Sequence, residues 1–222
     1  RNVPATDPAV AASGRCSHFQ HQGDRGRTPA DGVPERQCRE ELAAIGVPAP
    51  STVPLYYQCS ATLLTRDDRI EVLGADSSGE AEPFLLKADG RIWLGLASDH
   101  TDRALETYSV AHSKQICAKP VAEELWLLDD VIEHIDSLQL KSWICEGGDW
   151  VAYQDGTLAS ILPLAELMAG ITMEEGTAML CGTLPAIGGG RPAVEFKMSL
   201  TDPVRGKSIE WGYSSRALSV IS

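Results

Sequence analysis

Residues 78–103 read SGEAEPFLLKADGRIWLGLASDHTDR, and this stretch sets the architecture expected for the chain. Two apolar runs, 84–86 and 92–97, flank Lys87-Ala88-Asp89-Gly90. An Asp-Gly pair between apolar runs is a hairpin signal, because tight hairpin turns need residues that accept positive φ. The hairpin carries Glu82 at the start of one strand and returns to Asp99 at the end of the other. Side chains alternate along a strand, so Glu80 and Glu82 point the same way. Two adjacent carboxylates repel, and burying them requires a compensating cation. With Asp99 they would form an oxygen-rich set at one end of a sheet, suited to a hard divalent ion such as Mg2+ or Mn2+. On spacing alone the competing reading is a solvated strand face carrying acids, where charge usually resides.

Outward from the hairpin, short strands are expected at 60–65 and 69–73, joined by a polar Asp67-Asp68 turn. Residues 121–138 predict a helix, with Leu125, Leu128, Ile132 and Ile135 on one stripe. A shorter helix is expected at 158–168, which Pro163 must break or start. Segments 139–144 and 150–154 predict a second hairpin around Glu146-Gly147-Gly148-Asp149, and strands follow at 178–182, 194–200 and 208–213. There is no internal repeat and no alternating βαβ series. The fold class is therefore α+β, mainly antiparallel β with a few helices.

The opening differs in character. Residues 1–34 are rich in Pro, Gly, Ala, Arg and Asp without apolar periodicity, so an irregular or disordered segment is expected before a domain at 35–222. Within it, Cys16-Ser17-His18-Phe19-Gln20-His21, with Cys38 further on, offers zinc-ligand types. The paired short steps of a structural zinc site are missing, which favours a solvated tail. Residues 35–45 predict a short helix, with Cys38, Leu42 and Ile45 at helical spacing and Gly46 and Pro48 stopping it.

A chain of 222 residues suits one domain, or one domain with an extension. Its 43% hydrophobic and 23% charged residues are ordinary globular values. The net charge of -12 argues against nucleic acid and against anionic membrane as partners. No apolar run approaches the ~18 residues of a membrane span, and no basic-then-apolar signal peptide opens the sequence. Cys16, Cys38, Cys59, Cys117, Cys145 and Cys181 form no close pair, and several lie in apolar runs. They read as small buried hydrophobes in a protein of the reducing cytoplasm.

Further elements recur in a defined order: Pro54-Leu55-Tyr56-Tyr57, Glu80-Ala81-Glu82, Asp99 with Arg103 four residues on, Lys114, Lys119-Pro120, and Cys181-Gly182-Thr183-Leu184-Pro185. This series resembles the fumarylacetoacetate hydrolase superfamily of metal-dependent enzymes. It looks closest to a prokaryotic family of unknown function within it (family 2848). The resemblance runs from about Ile45 to the C-terminus. It implies a rolled β-barrel-like domain, a homodimer, and a divalent metal held by Glu80, Glu82 and Asp99. It also implies a small oxo- or dioxo-carboxylate substrate reacting through an enolate, with Lys114 steadying the developing negative charge. Hydrolysis, decarboxylation and tautomerisation all pass through such an enolate.

Departures from the pattern are equally specific. The step from Glu82 to Asp99 leaves no room for the helix usual between them. Ser98 stands where Asn is usual, Lys119-Pro120 where Gly-Pro is expected, and Leu184 interrupts the Gly-Thr-Pro loop. A His-Glu pair on an N-terminal lid is not recognisable.

Among the remaining candidates, Arg103 could hold a substrate carboxylate through its planar fork, or pair structurally with Asp102 or Glu106. Thr183 sits in a loop whose hydroxyl and backbone N–H groups could bind a carboxylate, or it simply follows a buried strand. His100 is a candidate general base, although residues adjacent to Asp99 on a strand face the other way. His112 and His134 read as structural. No nucleophile elbow, phosphate-binding loop or His-Glu-x-x-His helix occurs. The expected function is a divalent-metal-dependent hydrolase or lyase. The alternative is a non-catalytic binding or assembly module on the same fold.

Overall fold

The computed structural model describes residues 16–19, as backbone, and 54–221. The helix expected at 35–45, the 34/35 boundary, and His21 and Cys38 of the zinc-ligand set lie outside the described residues.

The hairpin forms as read, and it is longer than its apolar runs. In chain order the first strands are β1 (Cys16–Phe19), β2 (Tyr56–Cys59), β3 (Leu64–Thr65), β4 (Arg69–Leu73) and β5 (Ser77–Ser78). The hairpin strands β6 (Ala81–Ala88) and β7 (Arg91–Ser98) come next. Asp89 and Gly90 close the turn with φ of 53° and 71°, the left-handed pair of a two-residue hairpin. Ala81 lies opposite Ser98 and Glu82 opposite Ala97. Beyond the ladder, the Asp99 N–H donates to the Glu80 carbonyl at 2.9 Å, so Glu80 and Asp99 face each other across the strand ends.

After β8 (Thr101–Asp102) come two short helices, α1 (Arg103–Glu106) and α2 (Val110–Gln115), which the sequence reading does not anticipate. Both start on side-chain caps: Asp102 accepts from Leu105 N at 2.8 Å, and Ser109 from His112 N at 3.4 Å. The chain continues through β9 (Lys119–Pro120), β10 (Trp126–Leu127), β11 (Gln139–Glu146) and β12 (Asp149–Thr157). It ends with α3 (Leu164–Ala169), β13 (Ala178–Leu180), β14 (Glu195–Asp202) and β15 (Lys207–Leu218).

Six strands form one sheet in the order β10-β7-β6-β13-β1-β2, and five form another in the order β12-β11-β14-β15-β4. Most pairings are antiparallel; β1/β13, β15/β4 and the small β3/β9 ladder are parallel. The two large sheets share one core, where Leu85, Leu94 and Leu96 meet Leu140, Phe196, Met198 and Leu200. On the other face of β6 and β7, Phe84, Ala97, Ala178 and Leu180 make a second apolar cluster. Ala81 to Leu85 are therefore buried on both faces, a site where charge is costly.

Several expectations are corrected. Segment 121–138 is not one helix: Trp126 and Leu127 pair with Leu94 and Trp93 at the edge of the six-stranded sheet. Two 3-10 segments, Leu128–Asp130 and Ile132–Ser137, follow. The open edge of β7 captures residues whose 3.6-residue spacing suggested a helix, and Ile132 of the supposed apolar stripe is 41% exposed. Segment 60–65 forms a 3-10 turn, Ala61–Leu63, before the short β3. Pro163 divides 158–168, capping α3 after a 3-10 turn at Leu158–Ser160. Within 1–34, Cys16–Phe19 is a strand between β13 and β2 and not irregular chain. Cys59, Cys117, Cys145 and Cys181 are free thiols, three of them buried, as their apolar settings suggested. Among the described residues no helix is long and apolar enough to cross a membrane.

Gly79, in the link from β5 to β6, is a packing requirement. A Cβ there would lie 2.8 Å from Ser98 Oγ and 2.9 Å from Phe196 Cδ1. Gly79→Ala should therefore cost about 1–3 kcal/mol of stability, as overpacking does. Urea denaturation checks this; an unchanged midpoint would show that these neighbours move aside freely.

Candidate metal centre

The two strand ends bring Glu80, Glu82 and Asp99 together. One carboxylate oxygen from each lies within 4.8 Å of the others, and all three residues are buried. The sequence reading of a shared face and a common sheet end is the observed geometry.

The backbone between the two glutamates is held from outside the hairpin. The Ala81 N–H donates to Gln154 Oε1 at 2.8 Å, and the Ala81 carbonyl accepts from Thr183 Oγ1 at 2.9 Å. Gln154 in turn donates through Nε2 to Thr183 Oγ1 and to the Leu184 carbonyl, and accepts from Ser142 Oγ at 2.6 Å. With both polar groups of the Ala81 backbone clamped, the flanking Glu80 and Glu82 side chains are fixed in direction. Gln154 escaped the sequence reading because nothing in β12 marks one polar residue as the partner of a strand about seventy positions away.

Each glutamate is only half satisfied. Glu82 Oε2 accepts from Gly182 N at 2.8 Å, and Glu80 Oε1 accepts from Arg103 Nη1 at 3.1 Å. Among the described residues, Glu80 Oε2 and Glu82 Oε1 are buried without a hydrogen-bond partner. Buried carboxylate oxygens are rarely left so, and a divalent cation binding both would satisfy them. Burial, followed by repulsion from Asp99, pushes Glu82 well above the usual carboxylate range, with Lys114 and the Gly182 N–H pulling back. Burial likewise raises Glu80, against the pull of Arg103 and Lys114.

Asp99 is different, since two ammonium groups meet it. Lys114 Nζ contacts Oδ2, and Lys119 Nζ lies 2.9 Å from Oδ1; all three side chains are fully buried. Burial alone would lower Lys114, but Asp99, Glu80 and Glu82 outweigh it and hold the ammonium above the usual lysine range. Lys119 was not singled out as a site residue. Its signal was present all the same, in a lysine standing where the related pattern has glycine.

The other candidates fall into place around this core. Arg103 donates to Ser78 Oγ at 2.8 Å, to Glu80 and to Glu106 Oε2 at 3.0 Å. Its guanidinium thus steadies the Glu80 carboxylate, while Asp102 caps α1. The Thr183 hydroxyl is committed to Ala81 and Gln154, so it braces the ligand strand and is not turned to a substrate. His100, the expected general base, has both ring nitrogens engaged: Nδ1 bonds Tyr213 Oη and Nε2 bonds Ser77 Oγ, both at 2.9 Å. Burial, with Lys119 and Arg103 nearby, lowers it from 6.5 to about 3, leaving a neutral structural imidazole. His112 pairs with Ser109 at the surface and His134 with Asp202, both structural as read.

The fold is the fumarylacetoacetase-like α+β fold. Solved structures with this fold include the protein Cg1458, at 15% identity and a TM-score of 0.60, covering 92% of this chain and 76% of that one. A 2-keto-3-deoxy-D-arabinonate dehydratase, solved with magnesium and 2,5-dioxopentanoate, shares 13% identity at a TM-score of 0.61, with 92% and 74% covered. A maleylpyruvate hydrolase from Sphingobium sp. SYK-6, solved with manganese(II) and pyruvate, shares 12% at 0.58, with 91% and 70% covered. These neighbours belong to the fumarylacetoacetate hydrolase superfamily. No curated protein matches the chain. Residues 26–213 match the family described as "Protein of unknown function (DUF2848)", and the chain belongs to that family.

Two outcomes are expected. Because burial keeps Glu80 and Glu82 protonated at a higher pH than free carboxylates, divalent-ion binding should release protons, and affinity should rise with pH. Calorimetry in two buffers of different ionisation enthalpy reads the release directly; equal heats would refute it. Gln154→Leu should strand the Ala81 N–H and cost about 1–3 kcal/mol, with weaker metal binding as the ligands loosen.

Proposed function

We propose that this protein is a divalent-metal-dependent hydrolase or lyase acting on a small oxo- or dioxo-carboxylate through an enolate. The observation that carries the reading is the pair of buried, unpartnered oxygens on Glu80 and Glu82 beside Asp99. Support also comes from two structures of the same fold, solved with Mg2+ and 2,5-dioxopentanoate and with Mn2+ and pyruvate.

Glu80, Glu82 and Asp99 would hold the ion. Mg2+ or Mn2+ bound there supplies Lewis acidity toward the oxo and carboxylate oxygens of a substrate. Lys114 lies near the end of α2 with its ammonium on Asp99, and would add positive charge to the developing enolate. Arg103 orients Glu80, and Thr183 with Gln154 orients the strand between the ligands. Both ring nitrogens of His100 are taken by Tyr213 and Ser77, so the residue nearest Asp99 that could have activated water is not free to do so. A homodimer and a cytoplasmic location belong to the same reading.

One observation favours the alternative, a non-catalytic module on this fold: both Asp99 oxygens already have an ammonium partner. Calorimetry with Mg2+ and Mn2+ separates the two. Wild-type protein should bind one ion per chain, and a folded Glu80→Gln, Glu82→Gln double variant should bind at least about a hundredfold more weakly, having lost two charged ligands. Turnover of a panel of oxo-acids should then depend on the same ion. A folded wild type that binds neither metal refutes the enzyme reading.

A further inference from the structure

The structure assigns to Lys119 the role of a built-in counter-cation that lets the carboxylate cluster exist without its metal and so makes the ion exchangeable; this rests on the metal-site reading above.

Four observations carry it. The Lys119 side chain is fully buried, with its Nζ 2.9 Å from Asp99 Oδ1. The same Nζ donates to the His100 carbonyl, so the ammonium is anchored independently of the carboxylate. Its backbone is pinned as well, since β9 pairs with Leu64 and Thr65 of β3, and Val121 bridges Ala97 of β7. Lys114, by contrast, reaches Asp99 from a helix of six residues.

The charges complete the argument. Four carboxylates, Glu80, Glu82, Asp99 and the Arg103-bound Glu106, stand against three contacting cations, Lys114, Lys119 and Arg103. Without Lys119 the same cluster would carry a second uncompensated negative charge in a buried setting, and folding would depend more heavily on a metal to cancel it. With Lys119 the metal-free cluster is brought nearer to balance, and an arriving divalent ion meets a fixed positive charge at one ligand oxygen. Lys119 therefore stabilises the empty state and weakens metal binding. It is a positioning residue that acts on the metal through Asp99.

The test is Lys119→Met, with Lys119→Arg as the charge-preserving control. Mn2+ affinity is measured by calorimetry and melting temperature in EDTA and in saturating Mn2+. The expected result is Mn2+ binding at least about tenfold tighter in Lys119→Met, as the loss of a nearby like charge implies. Its metal-free form should melt at a lower temperature, and the gap between EDTA and Mn2+ should widen. Lys119→Arg should bring both values back toward wild type. A purely structural lysine would lower the melting temperature without tightening the metal.

Equal or weaker Mn2+ binding by a folded Lys119→Met overturns the inference. If that variant folds only in Mn2+, the inference is supported. Should it fold under neither condition, Lys119→Gln, which keeps a donor for His100, decides by the same affinity criterion; failure of that variant to fold in Mn2+ would assign the side chain to packing and overturn the proposal. A folded wild type and a folded Lys119→Met that both bind no Mn2+ refute the metal site itself. Wild-type binding with an unchanged variant refutes only the role of Lys119.

Discussion

Three carboxylates, each with an oxygen within 4.8 Å of the others in the dry end of a β-hairpin, repel strongly, and much of the surrounding structure exists to contain that repulsion. Burial removes the water that would otherwise screen it. Here β6 is covered on one face by the core of the five-stranded sheet and on the other by the cluster around Phe84 and Leu180. The compensating charges arrive from a single stretch: Arg103 opens α1, Lys114 closes α2 and Lys119 starts β9. A short excursion after β8 thus delivers all three cations to the acids of the hairpin that precedes it. That arrangement accounts for two helices too short to be stable alone.

The acids were legible in the sequence and their setting was not. Alternation along a strand and an Asp-Gly turn are local rules, and they sufficed to place Glu80, Glu82 and Asp99 at one end of a sheet. Whether Glu-x-Glu is a solvated face or a buried site depends on groups far along the chain: Gln154, Gly182 and Arg103. The same limit explains His100. Adjacency to Asp99 suggested a base, while its ring partners, Ser77 and Tyr213, come from a separate ladder and from the second sheet. The failed helix at 121–138 has a related cause. Apolar spacing there fits a helix, but the unpaired edge of β7 offers backbone hydrogen bonds to Trp126 and Leu127 that no local pattern reports.

The departures from the superfamily pattern carry physical content. A two-residue turn joins the strands bearing Glu82 and Asp99, so the missing helix is replaced by a direct hairpin and the ligands keep their convergence. The step from glycine to Lys119 adds charge in a place where charge must be balanced, and the structure balances it on Asp99. Leu184 in the Gly-Thr-Pro loop leaves the Gly182 N–H on Glu82 and the Leu184 carbonyl on Gln154. The loop has kept its grip on the ligand strand through backbone groups, which a change of side chain does not remove.

These points separate what similarity can supply from what the site must. At 12–15% identity the solved relatives establish how the chain is folded. The chemistry rests on which polar atoms remain open once every internal partner has been assigned. Thr183, His100 and Gln154 are saturated, and Arg103 is shared between two carboxylates. Glu80 Oε2 and Glu82 Oε1 remain, side by side and buried. A fold that fixes the backbone between two glutamates on both its N–H and its carbonyl, yet leaves one oxygen of each unfilled, has spent its hydrogen bonds on direction. The buried lysines offset the charge of the cluster through Asp99 without filling these two aimed acceptors, which stay open to a divalent ion.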